Sequence, residues 1–151
     1  MKLSAAGLDL VKRSEGFRSH AYFDVAGFPT IGYGHRLEPT ESYPNGITET
    51  QGEVILLWDV GEAERSVERL VRVPLTQGQF DALVDFTFNL GSARLASSTL
   101  IKELNSGHYD LAAAELLRWD HSGTEEIASL KARRQAEYAL WQDAGTRQTA
   151  A

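Results

Sequence analysis

The chain has 151 residues, of which 42% are hydrophobic and 24% charged, a balance that is typical of one folded globular domain and excludes a disordered or collagen-like chain. It contains no cysteine, which excludes disulfides and thiolate metal sites, and its formal net charge of -6 disfavours a nucleic-acid-binding surface. No apolar run is long enough to span a membrane, and Asp9 interrupts the N-terminal segment before a signal-peptide core forms, so we expect cytoplasmic synthesis without membrane insertion.

The N-terminal segment has the apolar spacing of a helix over residues 4–15. Leu8, Val11 and Glu15 fall on one face of this helix. Gly16 follows at the position where a helix typically ends through a left-handed residue.

The next segment alternates aromatic and β-branched residues with turn-forming residues. This pattern predicts a hairpin with strands at residues 21–24 and 28–35, joined by a turn at residues 25–27. Two prolines and an Asn-Gly pair then predict a loop or a third short strand over residues 36–46.

The rest of the chain is predicted to be helical. The pairs Thr48/Gln51 and Thr76/Gln79 have the pattern of capping boxes, which predicts one helix ending near residue 71 and another over residues 80–90. The second helix is apolar nearly all round, which predicts a position at the centre of the core. Shorter helices are predicted at residues 98–105, 110–119 and 129–141, followed by a frayed end at residues 144–151. The predicted inner residues of the first helix are Val54, Leu57, Trp58, Val67 and Leu70.

These elements predict an α+β fold that is mostly α. A small antiparallel β lobe at about residues 17–47 is followed by a helical bundle at about residues 48–143, to which the N-terminal helix belongs. Both lobes form a single domain over residues 1–151, and the cleft between them is the default binding site of such a fold.

Glu15 has an unusual position for a carboxylate. It lies on the apolar face of the first helix and in its last turn, at the negative end of the helix dipole. Burial and the dipole both disfavour the charged form, so this group is suited to hold a proton and act as an acid. Alternatively, the side chain turns to solvent or pairs with an arginine.

Asp24 and Thr30 are predicted to face each other across the hairpin, because both lie at the same distance from Gly27. Thr30, Gly32 and Gly34 then share one bare face, where a ligand can approach the backbone closely. The alternative is a plain glycine-rich turn with a capping aspartate. Two carboxyl groups in unlike environments are what glycoside hydrolysis requires: one acid for the leaving oxygen, and one carboxylate for a water or the sugar cation.

Distinctive motifs extend from about Leu8 to Trp141. They are Ser14-Glu15-Gly16, Ala21-Tyr22-Phe23-Asp24, Gly27, Thr30-Ile31-Gly32-Tyr33-Gly34-His35, residues 80–91, Ser98-Thr99-Leu100 and residues 130–137. They closely resemble the signature of the bacteriophage-type lysozymes, glycoside hydrolase family 24. The spacing of Glu15, Asp24 and Thr30 matches that of the family's catalytic residues.

The resemblance implies a lysozyme-like muramidase that cleaves the β-1,4 bond between N-acetylmuramic acid and N-acetylglucosamine in bacterial peptidoglycan. Glu15 would be the general acid. Asp24 would orient or deprotonate the attacking water and stabilise the developing positive charge, while Thr30 would position that water. Phe88 and Thr99 match positions that contact saccharide, although Phe88 equally fits a core position.

The resemblance also implies how the protein acts in the cell. It indicates a monomeric endolysin, without metal or cofactor, that lyses the host. Such a protein is made in the host cytoplasm and reaches the periplasmic cell wall after a holin opens the membrane.

Other residues have simpler interpretations. His35 is predicted to be a buried histidine that pairs with an acidic neighbour, with a catalytic base as the alternative. Arg133 or Arg134 could pair with Glu15 or Asp24, but at least one of the two is expected on a solvated helix face. The remaining histidines lack metal-ligand spacing, which disfavours a zinc amidase. The tryptophans predicted to lie in the core are Trp58, Trp119 and Trp141.

Two alternative functions stay open on the sequence. One is a catalytically silent peptidoglycan- or glycan-binding domain, against which the intact Glu15, Asp24 and Thr30 argue. The other is a helical adaptor for another protein, which predicts no affinity for peptidoglycan at all.

Overall fold

The structure, a computed structural model, describes residues 1–143 and residue 145. The predicted fraying of residues 144–151 therefore lies, apart from Gly145, outside the described residues. The described chain is mostly helical with small antiparallel sheets, which confirms the predicted fold class. It divides into two compact units: a small unit, Lys12–Glu62, and a large unit that combines Met1–Val11 with the chain from Ala63 onward. A single catalytic domain stays a prediction.

The small unit contains the last turn of one helix, a three-stranded sheet and the first half of a second helix. The helices are α1 (Ala5–Glu15) and α2 (Glu49–Leu70), and the strands are β1 (Arg18–Phe23), β2 (Pro29–Gly32) and β3 (His35–Arg36). The strands are antiparallel in the order β1-β2-β3. The third short strand, which the sequence left open, is therefore present.

The hairpin register differs from the prediction. Tyr22 pairs with Thr30 and Phe23 with Pro29, so the connection is centred on Ala26 and not on Gly27. The predicted pairing of Asp24 with Thr30 is therefore wrong, because a shift in the centre of a hairpin turn changes every cross-strand partner.

The predicted strand at residues 28–35 is also too long. β2 ends at Gly32, and a turn that contains Gly34 leads directly into β3. Gly34 has a φ of 73°, a left-handed conformation that glycine adopts without the steric cost of a side chain. The single bare face predicted for residues 30–34 therefore does not form.

α2 begins with the predicted capping box. The Thr48 backbone N–H donates to Gln51 Oε1 at 2.8 Å, and the Gln51 N–H donates to Thr48 Oγ1 at 3.2 Å. Val67 is fully buried as predicted, but the rest of the predicted inner face is wrong in the first half of the helix. The buried residues there are Leu56 and Val60. The wrongly predicted inner residues, which are 64%, 50% and 84% exposed, are Val54, Leu57 and Trp58.

The core of the large unit is α3 (Gln77–Leu90), which confirms the prediction for this segment. Thr76 and Gln79 form the predicted capping box at its start. At Gly78 an added Cβ would lie 2.0 Å from the Leu140 carbonyl oxygen, so glycine lets the two backbones approach closely. The fully buried apolar side chains of α3 are Phe80, Ala82, Leu83, Val84 and Phe86.

The other elements of the large unit follow in chain order. The helices are α4 (Ser92–Ser97), α5 (Thr99–Asn105), α6 (Tyr109–Leu116) and α7 (Ala128–Trp141). α4 was not predicted, and neither was a short hairpin of β4 (His121–Ser122) and β5 (Glu125–Glu126). The prediction that this half of the chain is entirely helical is therefore wrong.

Candidate active site

Glu15 is the last residue of α1, where the sequence predicted it. The helix ends at Gly16, which has a φ of 71° and donates its N–H to the Lys12 carbonyl. One turn earlier, Lys12 forms an ion pair with Glu53 at 2.9 Å and lies 5.5 Å from the centre of the Tyr33 ring. These contacts fix the end of α1 within the small unit, and so they position the half-buried Glu15.

The Glu15 carboxylate packs against the turn between β2 and β3. A Cβ added at Gly34 would lie 2.8 Å from Glu15 Oε2, which is closer than real Cβ contacts. The carboxylate therefore occupies space that any side chain at position 34 would need. The glycine in this turn serves two purposes, because it supplies a left-handed backbone and leaves room for the carboxylate.

Asp24 follows directly after β1 and holds the start of the hairpin connection. Its Oδ1 accepts the N–H groups of Ala26 at 3.0 Å and Phe28 at 2.9 Å. Its Oδ2 lies 3.7 Å from Nε of Arg36, and the side chain is 24% exposed. The capping role is therefore real, and it occupies only one of the two carboxylate oxygens.

Thr30 lies in the middle of β2 and is only 3% exposed. The prediction that its hydroxyl lies beside an open, bare face is therefore wrong. Its cross-strand partners are Tyr22 on β1 and Arg36 on β3. Its Oγ1 donates to the Phe28 carbonyl at 2.9 Å. With its proton committed to that carbonyl, the hydroxyl has only lone pairs left for a further partner.

The small unit therefore contains all three residues that the sequence singled out together. Asp24 and Thr30 are joined through the backbone of Phe28, and Glu15 packs against the turn that follows Thr30's strand. Sequence reasoning missed Arg36, which is the cross-strand partner of Thr30 and the charged neighbour of Asp24. Its signal was weak, because position 36 fell in a segment predicted as a loop or short strand.

His35 lies between two carboxylates, which confirms its predicted pairing with an acidic neighbour. Nδ1 is 2.7 Å from Asp59 Oδ2, and Nε2 is 3.0 Å from Glu41 Oε1. Burial lowers the pKa of His35, but the hydrogen bonds to Asp59 and Glu41 outweigh it and leave the pKa raised above its ordinary value. Burial also raises the pKa of Asp59. The cluster ties β3 and the loop that follows it to α2.

Replacing His35 by asparagine is expected to lower stability by about 1–3 kcal/mol near pH 6, since charged hydrogen bonds are lost. The pKa of His35 is higher in the folded than in the unfolded protein. Its contribution to folding stability is therefore complete below the unfolded-state pKa of ~6.5, and it disappears as the pH rises through the folded-state pKa. The contribution also weakens in acid, where Asp59, with its raised pKa, takes up a proton. Denaturant melts of both proteins across this pH range measure the difference, and a difference independent of pH would contradict the ion-pair assignment.

The remaining candidate residues belong to the large unit. Phe88 is half-buried on α3, and Thr99 is exposed as the first residue of α5. Arg133 and Arg134 are 7% and 1% exposed, so the prediction that at least one lies on a solvated face is wrong. Arg133 forms two hydrogen bonds to the buried Asp85, at 2.8 and 2.9 Å.

The part of the chain that the structure describes contains neither a metal-binding cluster nor a membrane-spanning helix. Within residues 1–143 and 145, no group of three or more His, Cys, Asp or Glu side chains could hold a metal ion. Among the described helices, none combines the length and the apolar character that a bilayer crossing demands.

Comparisons with known proteins point to one family. Residues 12–137 match the family model described as phage lysozyme. The endolysin of Salmonella phage P22 is 39% identical over 144 residues, which cover 93% of this chain and 98% of that protein. The endolysin of Bacillus phage B103 is 42% identical over 144 residues, but the chain spans only 54% of its length. The muramidase domain of SpmX from Asticaccaulis excentricus has a similar structure, with a TM-score of 0.85 and 33% identity over 93% of this chain and 97% of that one.

Proposed function

The chain belongs to the phage lysozyme family, and on this premise we propose that it is an endolysin that hydrolyses the β-1,4 bond between N-acetylmuramic acid and N-acetylglucosamine in peptidoglycan. The observation that carries this proposal is the grouping of Glu15, Asp24 and Thr30 in the small unit, with the family's spacing. Their surroundings support a different role for each of the three.

Glu15 is the general acid in this proposal. It donates its proton to the glycosidic oxygen as the bond breaks, so that the leaving sugar departs as an alcohol. The position of Glu15 as the last residue of α1 supports this role, because the helix fixes the backbone from which the half-buried side chain extends. The close contact with Gly34 supports it further, since the acid is held in one place before the substrate arrives.

Asp24 and Thr30 prepare the attacking water in this proposal. Asp24 Oδ2 and Thr30 Oγ1 both act as acceptors, because the carboxylate has no proton and the hydroxyl donates its own to Phe28. A water that donates both protons to these acceptors turns its lone pairs away from them and toward the sugar carbon. Asp24 takes up the water's proton, and its charge stabilises the positive charge that develops on the sugar.

Phe88 and Thr99 are proposed to contact the saccharide. Phe88 is half-buried and Thr99 is exposed, so both keep surface available for a ligand. We further propose that the protein acts as a monomer, is made in the host cytoplasm and reaches the peptidoglycan through a membrane lesion opened by a holin. Lysis of the host cell follows from loss of the wall.

Replacing Gly34 by alanine is expected to reduce hydrolysis by at least about tenfold, because the new methyl group displaces the Glu15 carboxylate, and even an ångström of misplacement is costly in catalysis. Gly34→Ala also lowers folding stability by about 1–2 kcal/mol, because any alanine is strained in a left-handed backbone conformation. Gly107→Ala is the matched control, since Gly107 has a φ of 84° and nothing within 4 Å of the added Cβ. Turnover per folded molecule and melting temperature separate the two effects. Equal activity of the two variants would show that Gly34 makes no room for the acid.

Mass spectrometry of digested peptidoglycan tests the proposed reaction itself. Hydrolysis by a muramidase releases fragments with a reducing muramic acid end. An anhydro end instead identifies a transglycosylase, and a freed stem peptide identifies an amidase. Either of these products, or pellet binding without any product, would overturn the proposed function.

A further inference from the structure

Arg36 is a charged residue beside the proposed water-binding pair. It lies on β3 directly opposite Thr30, and its Nε is 3.7 Å from Asp24 Oδ2. Its guanidinium carbon lies 4.1 Å from the centre of the Phe28 ring. One arginine on a short strand therefore contacts both the carboxylate and the residue that joins it to Thr30.

Phe28 organises this group through three different atoms or surfaces. Its N–H donates to Asp24 Oδ1, its carbonyl accepts from Thr30 Oγ1, and its ring carries the Arg36 guanidinium. A guanidinium stacked on a ring keeps its plane fixed, which restricts where its nitrogen atoms can lie. The ring therefore limits the movement of a side chain that is otherwise 62% exposed.

The separation of 3.7 Å determines what Arg36 does to the carboxylate. It is too long for a hydrogen bond, so Arg36 attracts Oδ2 without occupying its lone pairs. Nor does any other residue in the described part of the chain donate a hydrogen bond to Oδ2. The oxygen is thus held by charge, while its lone pairs stay available to a water molecule.

We propose that Arg36 is a positioning residue of the hydrolysis, which holds Asp24 Oδ2 in the orientation that binds the attacking water. This inference rests on the proposed function. Backbone N–H groups fix one carboxylate oxygen, and the stacked arginine fixes the other by attraction. Arg36 acts through Asp24 and does not itself touch the reacting atoms.

The test compares Arg36→Met with Arg18→Met. Arg18 lies on β1 of the same sheet and stacks on the Tyr22 ring at 4.3 Å, but it forms no ion pair with a carboxylate among the described residues. Both changes keep the aliphatic stem and remove the charge. On soluble, uncross-linked glycan strands, Arg36→Met is expected to lower kcat about five- to tenfold, well short of the ~10²-fold that a full ångström of misplacement costs. KM and the melting temperature stay within error of the wild type, and Arg18→Met stays within twofold in kcat.

Two further variants examine the stacking and the charge. Phe28→Leu removes the ring and keeps the backbone, so it should lower kcat by a smaller factor and add nothing when combined with Arg36→Met, because both changes act on one interaction. Arg36→Lys keeps the charge without the planar stack and should recover part of the lost kcat.

Several results would overturn this inference. They are an Arg36→Met kcat within twofold of the wild type, an equal loss in Arg18→Met, or a rise in KM alone, which would make Arg36 a substrate-binding residue. Additive effects of Phe28→Leu and Arg36→Met would also contradict it. Failure of the proposed function looks different, since the wild type itself would then release no reducing muramic acid end.

Discussion

Replacing Glu15 by glutamine is expected to slow peptidoglycan hydrolysis at least about a hundredfold, because general acid catalysis contributes ~10²–10⁴-fold. Glutamine keeps the shape of the side chain beside Gly34 but has no proton to transfer at neutral pH. Turbidity loss of permeabilised bacteria and release of reducing ends measure the rate, and the melting temperature checks folding.

Glu62→Gln is the matched control for Glu15→Gln, because Glu62 is an exposed helical carboxylate of the same small unit. Its activity should equal that of the wild type. If Glu15→Gln kept activity within a few-fold while Glu62→Gln behaved normally, another group would have to protonate the leaving oxygen.

The second large effect concerns the buried charges of the large unit. Arg134 donates to Glu137 at 2.7 Å and to Asn89 at 2.9 Å, and its side chain and that of Glu137 are at most 1% exposed. Burial raises the pKa of Glu137 well above its ordinary value, and the neighbouring Asp85 raises it further. The pair of Arg134 and Glu137 is deeply buried, and Glu137 Oε2 has no hydrogen-bond partner in the described part of the chain.

Replacing Glu137 by alanine is therefore expected to cost about 3–5 kcal/mol, because the Arg134 guanidinium loses its partner while it stays buried. Glu137→Gln should cost less than Glu137→Ala, since the amide oxygen still accepts a hydrogen bond from Arg134. Denaturant melts measure both changes. Glu126→Ala, which removes an exposed pair with Lys131, is the control and should cost no more than about 1 kcal/mol.

The pH dependence of these melts tests the raised pKa of Glu137 directly. An acid whose pKa is raised in the folded state binds a proton that the unfolded chain releases, so folding loses stability as the pH rises above the ordinary value of 4.5. Glutamine does not titrate, so the stability of the Gln variant relative to the wild type should increase as the pH rises. A difference between the wild type and the Gln variant that does not change with pH would contradict the raised pKa of Glu137.

Local sequence signals predicted most of the helix boundaries in this fold. The capping boxes at Thr48 and Thr76 involve residues three positions apart, so their hydrogen bonds depend only on local geometry. The same is true of Gly16, which ends α1 and so identifies Glu15 as its last residue. The candidate acid, Glu15, could therefore be predicted from the sequence.

The surroundings of Asp24 and Thr30 were harder to predict. The hairpin is centred on Ala26, because Asp24 Oδ1 binds two N–H groups of the turn and fixes its length. A glycine at position 27 indicates that the chain turns, but it does not determine the register. The cross-strand pairing of Arg36 with Thr30 depends on that register and on a strand of only two residues, β3.

The prediction of side-chain burial failed where burial depends on partners that are distant in the sequence. In the sequence, the pair Arg133 and Arg134 indicates a charged surface. In the structure, however, Arg133 is buried and donates a hydrogen bond to Asp85, which lies 48 residues away in the sequence. On α2 the apolar residues cover two sides of the helix, so periodicity could not show that Leu56 faces inward and Trp58 outward. Only the tertiary structure decides such cases.

The outward position of Trp58 affects how unfolding of this protein can be observed by fluorescence. Trp58 is 84% exposed in the small unit, whereas Trp141 is 4% exposed in the large unit. An indole that already lies in water emits at nearly the same wavelength before and after unfolding. A red shift on heating therefore reports the large unit, while collisional quenching by acrylamide reports mainly Trp58.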